Sequence, residues 1–203
     1  MSGTFDEKQV HEPDLLSSTR IEIGVLGSAR LNEPDDRWKQ AQRLGGLLAD
    51  AGYAIVTGGY GGLMAAVSRG AHERGGHVVG LSMQHWTGIE PNRWNADLRW
   101  SSTYGARLNH LLRCDAIIAL PGGVGTLSEM AVAWSASQTE GRPLPIILLG
   151  DCWPPLVSAF REHLVIGSED LRLLRFAATP EEALQMVREA LREPGRVGPG
   201  PRG

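Results

Sequence analysis

DAIIALPGGVGTLSE, running from Asp115 to Glu129, decides the fold. Residues 116–120 are an uninterrupted apolar run short enough for a buried strand. Residues 121–125 form a glycine-rich turn, and Thr126, Ser128 and Glu129 fall in the first turn of a helix. A strand feeding a glycine-rich turn feeding a helix is a device for holding an anion. The N–H groups at the helix start have no partners, and the helix dipole adds positive potential there. Glycines let a ligand approach the backbone and permit positive φ angles. A carboxylate one turn into such a helix is out of place if phosphate grip is the only task.

Outward from this stretch, the same rhythm repeats. Apolar strands are expected at 21–26, 53–57, 77–82, 145–149 and 173–177, with a short extra strand at 97–100. Helices are expected from Asp35 to a Gly52 cap, over 63–74, 103–113, from the glycine turn to 139, over 153–165 and from Pro180 onward. Thr179, Pro180 and Glu182 spell an N-cap, a first helical position and a capping box. This alternation predicts an α/β fold: a Rossmann-like, doubly wound parallel sheet with helices on both faces, in a single domain. With right-handed crossovers, and leaving the extra strand aside, the expected strand order is 3-2-1-4-5-6. Three loops then converge on one sheet edge: GSAR (Gly27–Arg30), GGYGG (Gly58–Gly62) and PGGVGT (Pro121–Thr126). Residues 83–96 break the rhythm. They carry Trp86 and Trp94 and read as a loop beside the site or at a subunit contact.

The 203 residues suit one domain, with a flexible arm over 1–20, the nucleotide-binding domain over 21–192 and a Pro/Gly-rich, disordered tail over 193–203. A net charge of −3 argues against general nucleic-acid affinity. No apolar signal core or membrane-length run is visible, so a cytoplasmic protein without membrane partners is expected. Cys114 and Cys152 read as reduced and buried. The scattered histidines make no ligand-spaced group, so no metal is expected.

GSAR, TGGYGGLM with the later GGHVVG, and PGGVGTLSE, in this order and spacing, closely resemble the LONELY GUY (LOG) family over about residues 21–191. Its members carry an old lysine decarboxylase label. The resemblance implies a Rossmann-like fold, a homodimer, and phosphoribohydrolase activity. Such enzymes cleave a nucleoside 5′-monophosphate, cytokinin-type or ordinary, into free base and ribose 5-phosphate, without metal or organic cofactor. It makes Glu129 the catalytic carboxylate. Gly122, Gly123, Val124, Gly125 and Thr126 would hold the 5′-phosphate, with Gly27, Ser28, Gly58 and Gly59 lining the nucleotide pocket. The family's second catalytic residue is an arginine before this strand. Arg107 matches if the connection is one residue shorter than the family pattern, which otherwise falls on Ala106; Arg113 is the alternative. His110 reads as a packing or surface residue, and Ser128 stands where many relatives have an acid. The decarboxylase label fails on lysines: a pyridoxal phosphate enzyme needs one at a strand end. The two present, Lys8 and Lys39, lie in the N-terminal arm and on the wet face of the first helix. The competing reading is a non-catalytic nucleotide or molybdenum-cofactor carrier, which needs the phosphate loop but not Glu129.

Overall fold

The computed structural model describes residues 20–139 and 144–192. The expected arm and tail lie outside these, except for residue 20. Seven strands alternate with helices: β1 (Glu22–Leu26), α1 (Asp36–Asp50), β2 (Ala54–Thr57), α2 (Leu63–His72), β3 (Val78–Met83), β4 (Asp97–Ser101), α3 (Tyr104–Leu112), β5 (Ala116–Ala119), α4 (Val124–Thr139), β6 (Ile146–Leu149), α5 (Trp153–His163), α6 (Ser168–Arg172), β7 (Leu174–Ala177) and α7 (Pro180–Arg192). They form one sheet in the order β4-β3-β2-β1-β5-β6-β7, with every described pairing parallel. This is the expected doubly wound order, with the extra strand, β4, added outside β3.

Strand parity divides the core. Ile23, Val25, Ile55, Ile118, Ile147 and Leu149 face one side, where Leu44 and Leu48 of α1, Leu63 and Val67 of α2 and Val187 of α7 cover them. Leu26, Val56, Val79, Leu81, Ile117 and Leu148 face the other, against Leu111 of α3, Met130 and Ala133 of α4 and Val157 of α5. Each buried Val, Leu, Ile or Met side chain among them contributes about 1.5–3 kcal/mol. Helices α1 and α2 meet through glycine: a Cβ at Gly45 would lie 2.0 Å from the Val67 carbonyl, and one at Gly70 1.8 Å from that of Gln42.

Two expectations need correction. The helix expected over 153–165 does not reach its expected end. The helix ends at His163, and Ser168–Arg172 forms the separate, short α6 with no buried residue. Cys114 is buried but Cys152 is exposed, because it precedes α5 and Trp153 takes the inward position. Among the described residues, no helix is long and apolar enough to cross a membrane.

Candidate active site at the sheet switch point

The chain diverges between β1 and β5, and the loops following both strands are fastened together there. The Ser28 N–H donates to the Pro121 carbonyl at 3.1 Å, and the Leu63 N–H donates to the Ser28 carbonyl at 2.8 Å. The GSAR, GGYGG and PGGVGT loops therefore form one hydrogen-bonded rim at the carboxyl ends of the strands, where open α/β sheets bind ligands. Gly62 is required there: its φ is +66°, and a Cβ would lie 2.2 Å from the Ser28 carbonyl.

In the PGGVGT turn the glycines work differently from expectation. None of Gly122, Gly123 and Gly125 has positive φ. Gly122 is constrained by contact instead, since a Cβ would lie 2.1 Å from Thr126 Oγ1. Gly123 and Gly125 have nothing within 4 Å of a Cβ position, so their backbone borders open space. Val124, at the start of α4, is exposed, whereas Thr126 is buried. Helices α2, α3 and α4 carry no acidic residue in their first turns, whereas α1 and α7 do. The positive ends of these three helices are thus left uncompensated by local carboxylates.

Glu129 sits on the second turn of α4, facing the sheet. Arg107, on α3, donates from Nη1 to Glu129 Oε1 at 2.7 Å and from Nε to the Leu81 carbonyl at 3.0 Å. The Arg107 and Glu129 side chains are 7% and 12% exposed, so water screens the pair little. Burial pushes the Glu129 carboxyl above its ordinary range, against the opposing pull of the Arg107 charge and hydrogen bond. Gly58 lies under the guanidinium: a Cβ there would be 2.5 Å from Arg107 Nη2. Gly59 has φ +78° and its N–H donates to Thr57 Oγ1. Gly27 is packed between Leu63 and Leu120.

Arg107, rather than position 106, meets the carboxylate. The Ala106 N–H is used by the N-cap, donating to Thr103 Oγ1 at 3.1 Å. Arg113 is exposed at the far end of α3. His110 is half-buried, and burial with the nearby Arg99 and Arg113 charges lowers its pKa. Ser128 Oγ donates to the Gly125 carbonyl and lies 2.9 Å from the Tyr104 hydroxyl, tying α3 to the α4 start. Lys39 is exposed and paired with Asp36, while Lys8 lies outside the described residues. No group of three or more metal-ligating side chains occurs among the described residues.

The sequence alone leaves the 83–96 segment open between the site and a subunit contact. Its Trp86 ring stacks on Tyr60 with centroids 5.5 Å apart, and the Arg107 guanidinium lies 5.5 Å from the Trp86 centroid. Trp94 is half-buried beneath Arg93 and does not share this contact. Asn92 and Asn95 both donate from Nδ2 to the Gly59 carbonyl at 3.0 Å, holding the segment on the GGYGG turn. The two asparagines in NRWN were the available signal, since asparagine commonly fixes irregular backbone.

The SLOG cluster4 family matches residues 20–178. An uncharacterized protein of Archaeoglobus fulgidus is 34% identical over 133 residues, covering 64% of this chain and 83% of its own. The cytokinin riboside 5′-monophosphate phosphoribohydrolase LOG of rice is 31% identical over 166 residues, covering 75% of this chain. The chain spans 66% of that protein's length and 58% of a second rice relative with a probable assignment to the same activity. Among solved structures, the molybdenum cofactor carrier protein of Chlamydomonas reinhardtii superposes with a TM-score of 0.69 at 28% identity. It covers 86% of this chain and 99% of its own.

Proposed function

The chain belongs to the SLOG cluster4 family, of LONELY GUY type, and on that premise we propose that it is a phosphoribohydrolase of nucleoside 5′-monophosphates. The observation that carries the reading is the buried carboxylate of Glu129, held by Arg107 one turn beyond an anion-binding helix start. The open backbone at Gly123 and Gly125, with the Thr126 hydroxyl, holds the 5′-phosphate. Gly27, Ser28, Gly58 and Gly59 shape the adjoining wall.

With phosphate fixed at the head of α4, the ribose lies against Glu129. Breaking the bond from C1′ to the base nitrogen develops positive charge on the sugar, as in glycoside hydrolysis. The Glu129 carboxylate stabilises that charge and accepts a proton from the attacking water. Water oxygen bonds to C1′, the bonding pair leaves with the base, and a proton ends on the base nitrogen. Arg107 keeps Glu129 ionised and oriented. The enzyme is read as a cytoplasmic homodimer acting on a small molecule, without a metal, organic cofactor, nucleic-acid or membrane partner.

A carrier function is the second reading, favoured by the likeness to the Chlamydomonas carrier over nearly all of that protein. A carrier needs the phosphate turn but not a carboxylate on a buried arginine. Incubation with a panel of nucleoside monophosphates, a cytokinin one included, should release free base and ribose 5-phosphate in equal amounts. Binding without release from any of them would favour the carrier.

A further inference from the structure

Two hydrogen bonds fix the edges of the Arg107 guanidinium: Nη1 to Glu129 Oε1 and Nε to the Leu81 carbonyl. A planar guanidinium donates along its edges, so these bonds leave its faces without a partner. Trp86 supplies the contact there. The Arg107 Cζ lies over the indole, 5.5 Å from its centroid, within the range of a cation–π interaction. The indole is 41% exposed, whereas the Arg107 side chain is 7% exposed. The ring meets water and the cation does not.

The backbone is anchored on both sides of Trp86. Before it, the Gln84 N–H donates to the Ser101 carbonyl at 3.0 Å; after it, the Asn92 N–H donates to the Gly59 carbonyl at 2.7 Å. Asn92 Nδ2 also donates to the Tyr60 carbonyl at 2.9 Å. The buried Tyr60 ring stacks on the indole, and its hydroxyl accepts the Met83 N–H at 2.9 Å, which holds the support in place. Packing of the sheet does not call for this arrangement, because Trp86 and Tyr60 belong to neither hydrophobic core. Four elements instead meet at the ion pair: α3 with Arg107, α4 with Glu129, the turn after β2 with Tyr60 and the segment after β3 with Trp86.

Resting on the hydrolase reading, we infer that Trp86, backed by Tyr60, is a positioning residue for the reaction: it holds the Arg107 guanidinium against Glu129 and keeps water off the pair. Arg107 can orient the carboxylate only while its own face is covered. A guanidinium free to leave the Leu81 carbonyl lets Glu129 wander, and small misplacements of a catalytic group cost rate. The phosphate turn at the head of α4 does not depend on this contact, so the loss falls on kcat rather than on KM.

The test compares the full chain with Trp86→Leu, which keeps an apolar side chain without a π face, and Trp86→Phe, which keeps the face. The first readout is solvent exchange of the Arg107 Nε–H by nuclear magnetic resonance, assigned by its absence from Arg107→Lys. Trp86→Leu should speed that exchange about 2- to 30-fold, the span for loss of one cation–π contact, and leave the β5 amides unchanged. It should lower kcat over the same range, with KM within about twofold. Trp86→Phe should restore most of both. Unchanged Nε–H exchange in Trp86→Leu would overturn the inference, and so would Trp86→Phe behaving like Trp86→Leu. Equal acceleration of the β5 amides would overturn it as well, since Trp86 would then only support the fold. A raised KM at native kcat would place Trp86 in binding instead. The exchange readout needs no turnover, so absence of base release from the native chain would count against the hydrolase reading alone.

Discussion

Replacing Arg107 with methionine removes a charge while keeping much of the apolar volume. The guanidinium leaves two acceptors behind: Glu129 Oε1, at 2.7 Å, and the Leu81 carbonyl, at 3.0 Å. With both partners nearly buried, breaking the pair should destabilise the fold by about 3–5 kcal/mol where Glu129 remains ionised. Glu129 has an escape that an arginine would not have, because it can take a proton. Its pKa is already raised by burial, and Arg107 supplies both influences that hold it down. Without Arg107 the folded-state pKa moves further above the unfolded value. The penalty is then absent below the unfolded pKa and grows as pH rises, until the folded pKa is passed. Urea unfolding of Arg107→Met and the native chain should therefore show a smaller difference at about pH 5 than at about pH 8. Each additional unit of pKa separation is worth about 1.4 kcal/mol of that change. In the double variant Arg107→Met/Glu129→Gln no carboxyl remains, and the pH dependence of the Arg107→Met effect should vanish. A cost independent of pH in the single variant, or larger in acid, would refute the coupling.

On the hydrolase reading ionised Glu129 is the active form, and the acidic limb of kcat/KM should fall above 4.5, the ordinary glutamate value. A pH–rate profile checks this; a limb at or below that value would count against Glu129. Gly122→Ala forces a Cβ onto Thr126, and should weaken ribose 5-phosphate binding by roughly 10-fold or more while leaving the core folded. Calorimetry beside circular dichroism separates those effects. Gly70→Ala, at the α1–α2 contact, should lower stability by about 1–3 kcal/mol or more, because the obstacle is backbone. Denaturant titration reads it, with phosphate binding by the remaining folded protein unchanged.

The sheet was legible because its inner strands are buried on both faces and therefore stand out as apolar runs. Ile117 and Ile118 belong to different cores, yet both must be apolar. The edge strand β4 gave a weaker signal, since Asp97–Ser101 mixes charge with Leu98 and Trp100 and is largely exposed. Helix α6 gave none: SEDLR buries nothing, and its start is held by Asp170 accepting the Gly167 N–H. The last helix was readable to its cap, because Thr179 Oγ1 does accept the Glu182 N–H, although the Glu182 carboxylate reaches back to the Ala178 N–H. At the site, PGGVGT reads as an anion turn, but the sequence does not show that Gly122 is constrained by side-chain packing rather than by backbone conformation. The contact between Arg107 and Glu129 crosses 22 residues, and Trp86 meets Tyr60 from a segment without periodicity. The first contact depends on how α3 lies across the sheet and the second on how the loops after β2 and β3 meet, neither of which local pattern encodes.

The central claim is that the odd carboxylate in the anion turn performs chemistry. Its most direct measurement compares the intact chain with Glu129→Gln, following free base by chromatography from saturating nucleoside monophosphate, with ribose 5-phosphate binding measured alongside. The account predicts base release slowed about 100- to 10,000-fold, with ribose 5-phosphate still bound and the chain still folded. Release at the native rate from the Glu129→Gln variant would contradict it.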